Sequence, residues 1–336
     1  MDTDVPTYHG IRTEKFGTRP LKNIEHLKPP ICRILSLDGG GAKGFYTLGV
    51  LREVEALIGK PLHETFDLVF GTSTGSIIAS LLALGHDVES IHKLYCENVP
   101  EVMKQKSAGG KSTALAQLAD DVFGEATFED VKTGLGVVTT KWDMETPMIF
   151  KGSVNQAHGR LGTFKPGFGC TISEAVQASC SAYPYFNRKI VTTAMGDEIE
   201  LADGGYCANN PTLYAIADAV AGMKYEPSDC RVLSVGCGNY PSPKEGMLKK
   251  TYRNVLPTLP ILEKTMGINV AAMEQLRLIL FKAVPTVRVN DTFEKPEMAT
   301  DLFEHNLAKL NILRQRGAES YAGREADIQA LLRESV

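Results

Sequence analysis

No stretch of this 336-residue chain approaches the roughly 18 uninterrupted apolar residues of a membrane-spanning helix. The N-terminus, MDTDVPTYHG, has neither the basic start nor the apolar run of a secretory signal. The expectation is a cytoplasmic protein whose contact with any membrane is peripheral. Paired cysteine spacings are missing too. Cys32, Cys96, Cys170, Cys180, Cys207, Cys230 and Cys237 are odd in number, irregularly spaced and free of any C-x-x-C pair. That pattern argues for reduced thiols, against a disulfide framework and against a zinc site. No ligand cluster for another metal is visible, so neither metal nor cofactor is expected. Basic excess is absent: the net charge is −4, which gives no reason to expect a nucleic-acid polymer as partner. Internal repeats and low-complexity linkers are also lacking.

What is present is a series of strand–turn–helix units. Residues 1–30 are polar and proline-containing, and read as an N-terminal arm closed by Pro29-Pro30. Ile31–Leu37 (ICRILSL) is a buried strand by pattern, followed by glycines and a helix over Lys43–Ile58. Phe45, Leu48, Leu51, Val54 and Ile58 form one face of that helix. The plan repeats: Phe66–Phe70 is a short strand, Gly71–Gly75 a turn, and Ser76–Leu84 a helix apolar nearly all round. Units of this kind predict an α/β fold with a mainly parallel sheet.

Further along, Lys104–Thr113 has the polarity of a mobile loop. Gly136–Thr140 and Pro147–Phe150 read as strands, and 151–169 as a long loop. A helix is expected over Ile172–Ser179, ended near Tyr183-Pro184. Glu198–Ala202, Arg231–Val235 and Thr286–Val289 read as strands. The region 245–284 mixes basic and apolar residues, with helix over Met266–Val284. A C-terminal helical stretch spans Asn306–Leu332, interrupted near Gly317 and Gly323. One catalytic domain over 31–336 is the simplest division.

Three motifs carry chemistry. Gly71-Thr72-Ser73-Thr74-Gly75 reads G-x-S-x-G, a sharp strand-to-helix turn that exposes a serine hydroxyl. Such a hydroxyl is a poor nucleophile until a base takes its proton. Asp203-Gly204-Gly205 offers a carboxylate on a turn whose glycines permit close approach. Standing alone, it would read as an ordinary Asp-Gly turn. Asp38-Gly39-Gly40-Gly41-Ala42-Lys43-Gly44 supplies bare backbone amides at a helix start, suited to an oxyanion. Phosphate binding is the rival for this loop. Lys43 is followed by Gly44 rather than Ser or Thr, so the G-x-x-x-x-G-K-[ST] pattern fails.

A histidine base is the alternative. The order Ser73, Asp203, His305 matches an α/β-hydrolase triad. His305 lies in FEHNLAKL, on a polar helix face by pattern, and His158 precedes Asp203 in a glycine-rich loop. Neither has a supporting motif, so a serine–aspartate dyad is preferred.

These residues resemble the patatin-like phospholipase family. The likeness covers Ile34–Leu310 and rests on D-G-G-G-x-K-G at 38–44, G-x-S-x-G at 71–75, and D-G-G at 203–205 followed by Ala208-Asn209-Asn210-Pro211. Ser173–Phe186 (SEAVQASCSAYPYF) also looks like that family's stretch before the aspartate. Lys43 stands where many members carry arginine. The resemblance implies a three-layer α/β/α sandwich and hydrolysis of lipid acyl esters. It makes Ser73 the nucleophile, Asp203 the base and Gly39–Gly41 the oxyanion loop. A narrower likeness is to bacterial members that act in antiphage signalling, which a cyclic dinucleotide switches on to degrade membrane phospholipid. No motif identifies a nucleotide site. Arg12, Lys15, Arg19 and the run Lys249-Lys250-Thr251-Tyr252-Arg253 are candidate surfaces, and ordinary solvated surface is the other reading of both. Val255–Leu262 with the helix after it is a candidate apolar rim for lipid. Self-association as a homo-oligomer and a catalytically silent, ligand-sensing scaffold stay open as alternatives.

Overall fold

Residues 31–159, 161–242 and 258–333 are described by the computed structural model. The arm at 1–30, the basic run at 249–253 and the start of the candidate rim at 255–257 lie outside the described residues. In chain order the elements are β1 (Cys32–Leu37), α1 (Gly44–Ile58), β2 (Leu68–Thr72), α2 (Thr74–Leu84), α3 (Val88–Met103) and α4 (Ala108–Phe123). Next come β3 (Gly134–Lys141), β4 (Thr146–Lys151), α5 (Ile172–Ser179), β5 (Lys189–Thr192), β6 (Glu198–Asp203), α6 (Gly205–Ala208) and α7 (Thr212–Ala217). The chain closes with β7 (Cys230–Val235), α8 (Thr258–Leu280), β8 (Thr286–Val289), α9 (Leu307–Ala322) and α10 (Glu325–Leu332).

Strand alternation builds the layers. In β1, Ile34 joins one apolar cluster while Leu35 and Leu37 join another, because successive side chains point to opposite faces. The larger cluster gathers α1 to α5, α9 and α10 on one face. The smaller holds Phe70 and Val138 against Ala208, Ala215 and Ile216 of α6 and α7. Helices therefore cover both faces, as a parallel sheet requires. The expected three-layer α/β/α sandwich is observed.

The sheet runs β5-β6-β3-β2-β1-β7-β8, with β4 on the outer edge of β3. Its centre, β3-β2-β1-β7-β8, is parallel throughout, and β4, β5 and β6 add antiparallel pairs. One register detail decides the site. Along one edge of β3, Leu68–Thr72 of β2 pairs with 134–138, and then Asp203 of β6 pairs with Thr139. β2 and β6 thus end against adjacent residues of β3, from opposite directions.

Two expectations are corrected. Lys104–Thr113 is not a loop: α4 begins at Ala108, where the Ser107 side chain caps Gly110 N–H at 3.0 Å. Lys111 there is buried, donating to Met103 O at 2.6 Å and facing the Phe303 ring. Polarity misled because a capping serine and a buried lysine look like solvent-exposed residues. Gly317 does not interrupt the C-terminal helix. A Cβ there would sit 2.0 Å from Tyr46 O, so this glycine lets α9 pack directly on α1. The break expected at Gly323 is real and separates α9 from α10. The 151–169 stretch carries three short 3-10 turns, and α3 and β5 had no sequence expectation.

Candidate active site

Ser73 sits between β2 and α2 with φ 52° and ψ −125°. A non-glycine residue at positive φ is strained, and such strain is kept where the surroundings over-determine it. Here they do. Ser73 N–H donates to Ser179 Oγ at 2.9 Å, and Ser179 Oγ donates to Val138 O at 2.6 Å. Ser76 Oγ donates to Ser73 O at 2.7 Å. The flanking glycines are steric requirements: a Cβ at Gly71 would lie 2.2 Å from Gly75 O, and one at Gly75 2.4 Å from Leu37 O. The turn lifts Ser73 to 9 % exposure, its side chain at the helix N-terminus where negative charge is favoured.

Asp203 closes β6. Its backbone is clamped, N–H to Ser181 O at 3.0 Å and carbonyl to Thr140 Oγ1 at 2.9 Å. Oδ1 accepts from Gly205 N–H at 2.7 Å, while Oδ2 is buried with no hydrogen-bond partner among the described residues. Gly204 is needed because a Cβ would meet Val138 O at 2.2 Å. Burial pushes the Asp203 carboxyl up to about 7, opposed by the Gly205 amide and by the nearby Ser73 side chain. A carboxylate near neutrality beside a strained serine hydroxyl is placed to exchange one proton with it.

The glycine loop reaches the same pocket. Gly40 and Gly41 line it together with Ser73 and Asp203. Gly39 does not: its N–H donates to Asn209 O at 2.9 Å. Among the described residues the Gly40 and Gly41 amides donate to nothing, so two of the three expected amides are available to an oxyanion. Asp38 anchors the loop, its carboxylate taking both Arg288 guanidinium nitrogens, one at 2.8 Å. Gly44 lets α1 approach the residue after Ser73, since a Cβ there would meet Thr74 Oγ1 at 2.5 Å. Lys43 is half-buried and faces a neighbouring crevice, not this pocket. The rest of the pocket is apolar: Ile77 and Val99 on one side, Leu115, Phe186, Met266 and Leu302 on others.

Neither histidine joins. His305 is exposed, with Nδ1 3.2 Å from Phe303 O. His158 Nε2 lies 2.6 Å from Asp218 Oδ1, in a separate cluster with Lys151. Sequence reasoning missed Ser179, Thr140, Asn209 and Arg288. Ser179 and Asn209 lie within motifs that carried the resemblance, so a signal existed. Thr140 and Arg288 are joined to the site only by strand register and had none.

The fold is that of an α/β enzyme whose strand-to-helix serine turn and buried carboxylate share one pocket. The family model for patatin-like phospholipase matches residues 35–216, and the chain belongs to that family. It is a lipid ester hydrolase. The chain is 61 % identical over 302 residues to the cUMP-AMP-activated phospholipase of Escherichia coli, covering 90 % of this chain and 94 % of that one. It is 29 % identical over 242 residues to the cGAMP-activated phospholipase of Vibrio cholerae, covering 63 % of this chain and 65 % of that one. It is 30 % identical over 241 residues to human calcium-independent phospholipase A2-gamma, covering 65 % of this chain and 30 % of that one.

Proposed function

We propose that this chain hydrolyses acyl esters of membrane phospholipids through a Ser73–Asp203 dyad and is switched on by a cyclic dinucleotide. The observation that carries the dyad is the meeting of β2 and β6 on one edge of β3, which brings strained Ser73 beside buried Asp203. Ser73 Oγ attacks the ester carbonyl while its proton passes to Asp203 Oδ2, the unpartnered oxygen. The Gly40 and Gly41 amides receive the oxyanion. Collapse expels the lyso-lipid, which takes the proton from Asp203. Asp203 then removes a proton from water, the hydroxide attacks the acyl carbonyl, and Ser73 Oγ leaves by taking that proton back from Asp203 as the fatty acid is released. The apolar pocket accepts the acyl chain.

Nucleotide activation is supported by the likeness to the cUMP-AMP-activated phospholipase of Escherichia coli and the cGAMP-activated phospholipase of Vibrio cholerae. The same likeness supports a role in antiphage defence. A cytoplasmic location is supported by seven free cysteines. Peripheral membrane contact is supported by α8, which exposes Ile261 and Ile268 while Met266 lines the acyl pocket. No described helix is long and apolar enough to cross a membrane. The test is release of fatty acid from phospholipid vesicles with cyclic UMP-AMP present. Ser73→Ala and Asp203→Asn should each abolish it; near-normal turnover by either folded variant would sink the dyad.

A further inference from the structure

The chain leaves β1 toward β2 and β3 on one side, then returns to build β7 and β8 on the other. The boundary between β1 and β7 is therefore a topological switch point, where parallel sheets open a crevice beyond their carboxyl ends. A crevice is found there, with ≈ 610 Å³ of open space, lined by Gly39 and Gly40 after β1, Asn239 after β7 and Asn290 after β8. That volume lies in the range of sites for small organic ligands, roughly 300–1,000 Å³. The acyl pocket is narrower, with ≈ 50 Å³ of open space.

Two observations give the crevice a chemistry. Lys43 and Lys264 both line it, and neither has an ion-pair partner among the described residues. Its carboxylates are engaged: Asp38 with Arg288, Glu274 with Arg277, and Glu263 is not free either. Lys43 and Lys264 are therefore the lining cations not held in an ion pair among the described residues. Asn209, Tyr240 and Thr300 also line the crevice, and the Oδ1, Oη and Oγ1 atoms of these side chains are buried with no hydrogen-bond partner among the described residues. Asn209 and Thr300 are each 6 % exposed. Buried polar atoms without partners are costly, and they are retained where a ligand satisfies them.

The crevice is coupled to catalysis by shared parts. Gly40, Met266 and Leu302 form a wall common to it and the acyl pocket. α8 brings Lys264 and Val270 to the crevice and Met266 to the pocket. Its Asn269 bonds Asn209 N–H at 2.8 Å and Cys207 O at 2.9 Å, in the segment that follows Asp203. The open space of the acyl pocket, ≈ 50 Å³, has room for about four waters, so a shift of this shared wall would widen it for an acyl chain.

We propose that this crevice is the effector site: it takes the cyclic dinucleotide, its phosphodiesters against Lys43 and Lys264 and its polar edges against Asn209 and Thr300. Occupancy repositions α8 and opens the acyl pocket. The inference rests on nucleotide activation and adds where the nucleotide acts. The test uses the full chain, calorimetric binding of cyclic UMP-AMP, and hydrolysis of phosphatidylethanolamine–phosphatidylglycerol vesicles titrated with that nucleotide. Lys264→Glu and Thr300→Val should each raise the dissociation constant and half-activating concentration at least tenfold. Lipid KM at saturating nucleotide should hold. Lys165→Ala, in a separate cleft, should leave nucleotide binding unchanged. Wild-type affinity in both crevice variants overturns the site and leaves activation standing. A raised lipid KM with unchanged nucleotide affinity also overturns it, and makes the crevice a headgroup site. Wild type that neither binds nor responds to the nucleotide overturns activation itself, and the site with it.

Discussion

Replacing Asp203 with asparagine should exchange activity for stability, in a pH-dependent way that can be worked out. The carboxyl rises from 3.8 to about 7 on burial, a shift of about three units. Each unit is about 1.36 kcal/mol, so keeping Asp203 ionised in the folded chain costs about 4 kcal/mol. The sign follows from proton counting. Below 3.8 both states hold the proton and there is no penalty. Between 3.8 and about 7 the unfolded chain releases its proton first, so stability falls as pH rises. Above about 7 the full penalty is present. The substituted asparagine cannot ionise, and Gly205 N–H keeps an acceptor. Its new amide group replaces the unpartnered Oδ2 and carries its own cost, about 1–3 kcal/mol, at every pH. The informative quantity is therefore the change in the stability difference, variant minus wild type, between pH 4 and pH 8. It should grow in the variant's favour by up to about 4 kcal/mol, read from urea unfolding at a series of pH values. At pH 8, where Asp203 is ionised, the variant should lose about 10²–10⁴-fold in kcat/KM, the usual worth of a general base. A stability difference that is flat from pH 4 to 8 would refute the reasoning, because Asp203 would then not be desolvated.

The wild-type enzyme should show kcat/KM rising with pH to a plateau, with an apparent pKa near 7; a limb centred near 4 would contradict the burial of Asp203. His305→Ala should keep full esterase activity, since the ring is exposed and bonded to Phe303 O; a hundredfold loss would revive the triad. Arg288→Met should destabilise the fold by about 3–5 kcal/mol, because it strands the buried Asp38 carboxylate, and denaturant midpoints would measure it. Ile261→Asp with Ile268→Asp should weaken vesicle flotation while leaving hydrolysis of a soluble short-chain ester intact; unchanged flotation would end the membrane role of α8.

The candidate nucleophile, base and glycine loop are all legible in the sequence, because each rests on a short motif whose local geometry depends on glycine. G-x-S-x-G dictates its own turn, and D-G-G leaves room beside its carboxylate. The α/β class followed from the spacing of apolar strands and helices. Polarity misplaced α4 because it cannot distinguish a cap or a buried lysine from solvent-exposed residues. What only the tertiary structure decided was distance. Ser73 and Asp203 lie 130 positions apart in sequence, and β3 brings their strands together by pairing with β2 and β6 on one edge. Other long-range contacts gave the Gly39 amide to Asn209, leaving Gly40 and Gly41 as the candidate oxyanion donors, and tied Asp38 to Arg288 on β8, a residue with no local signal. Hydrogen bonds within a motif are set by neighbouring residues, whereas those between strands depend on which edges the whole chain leaves open.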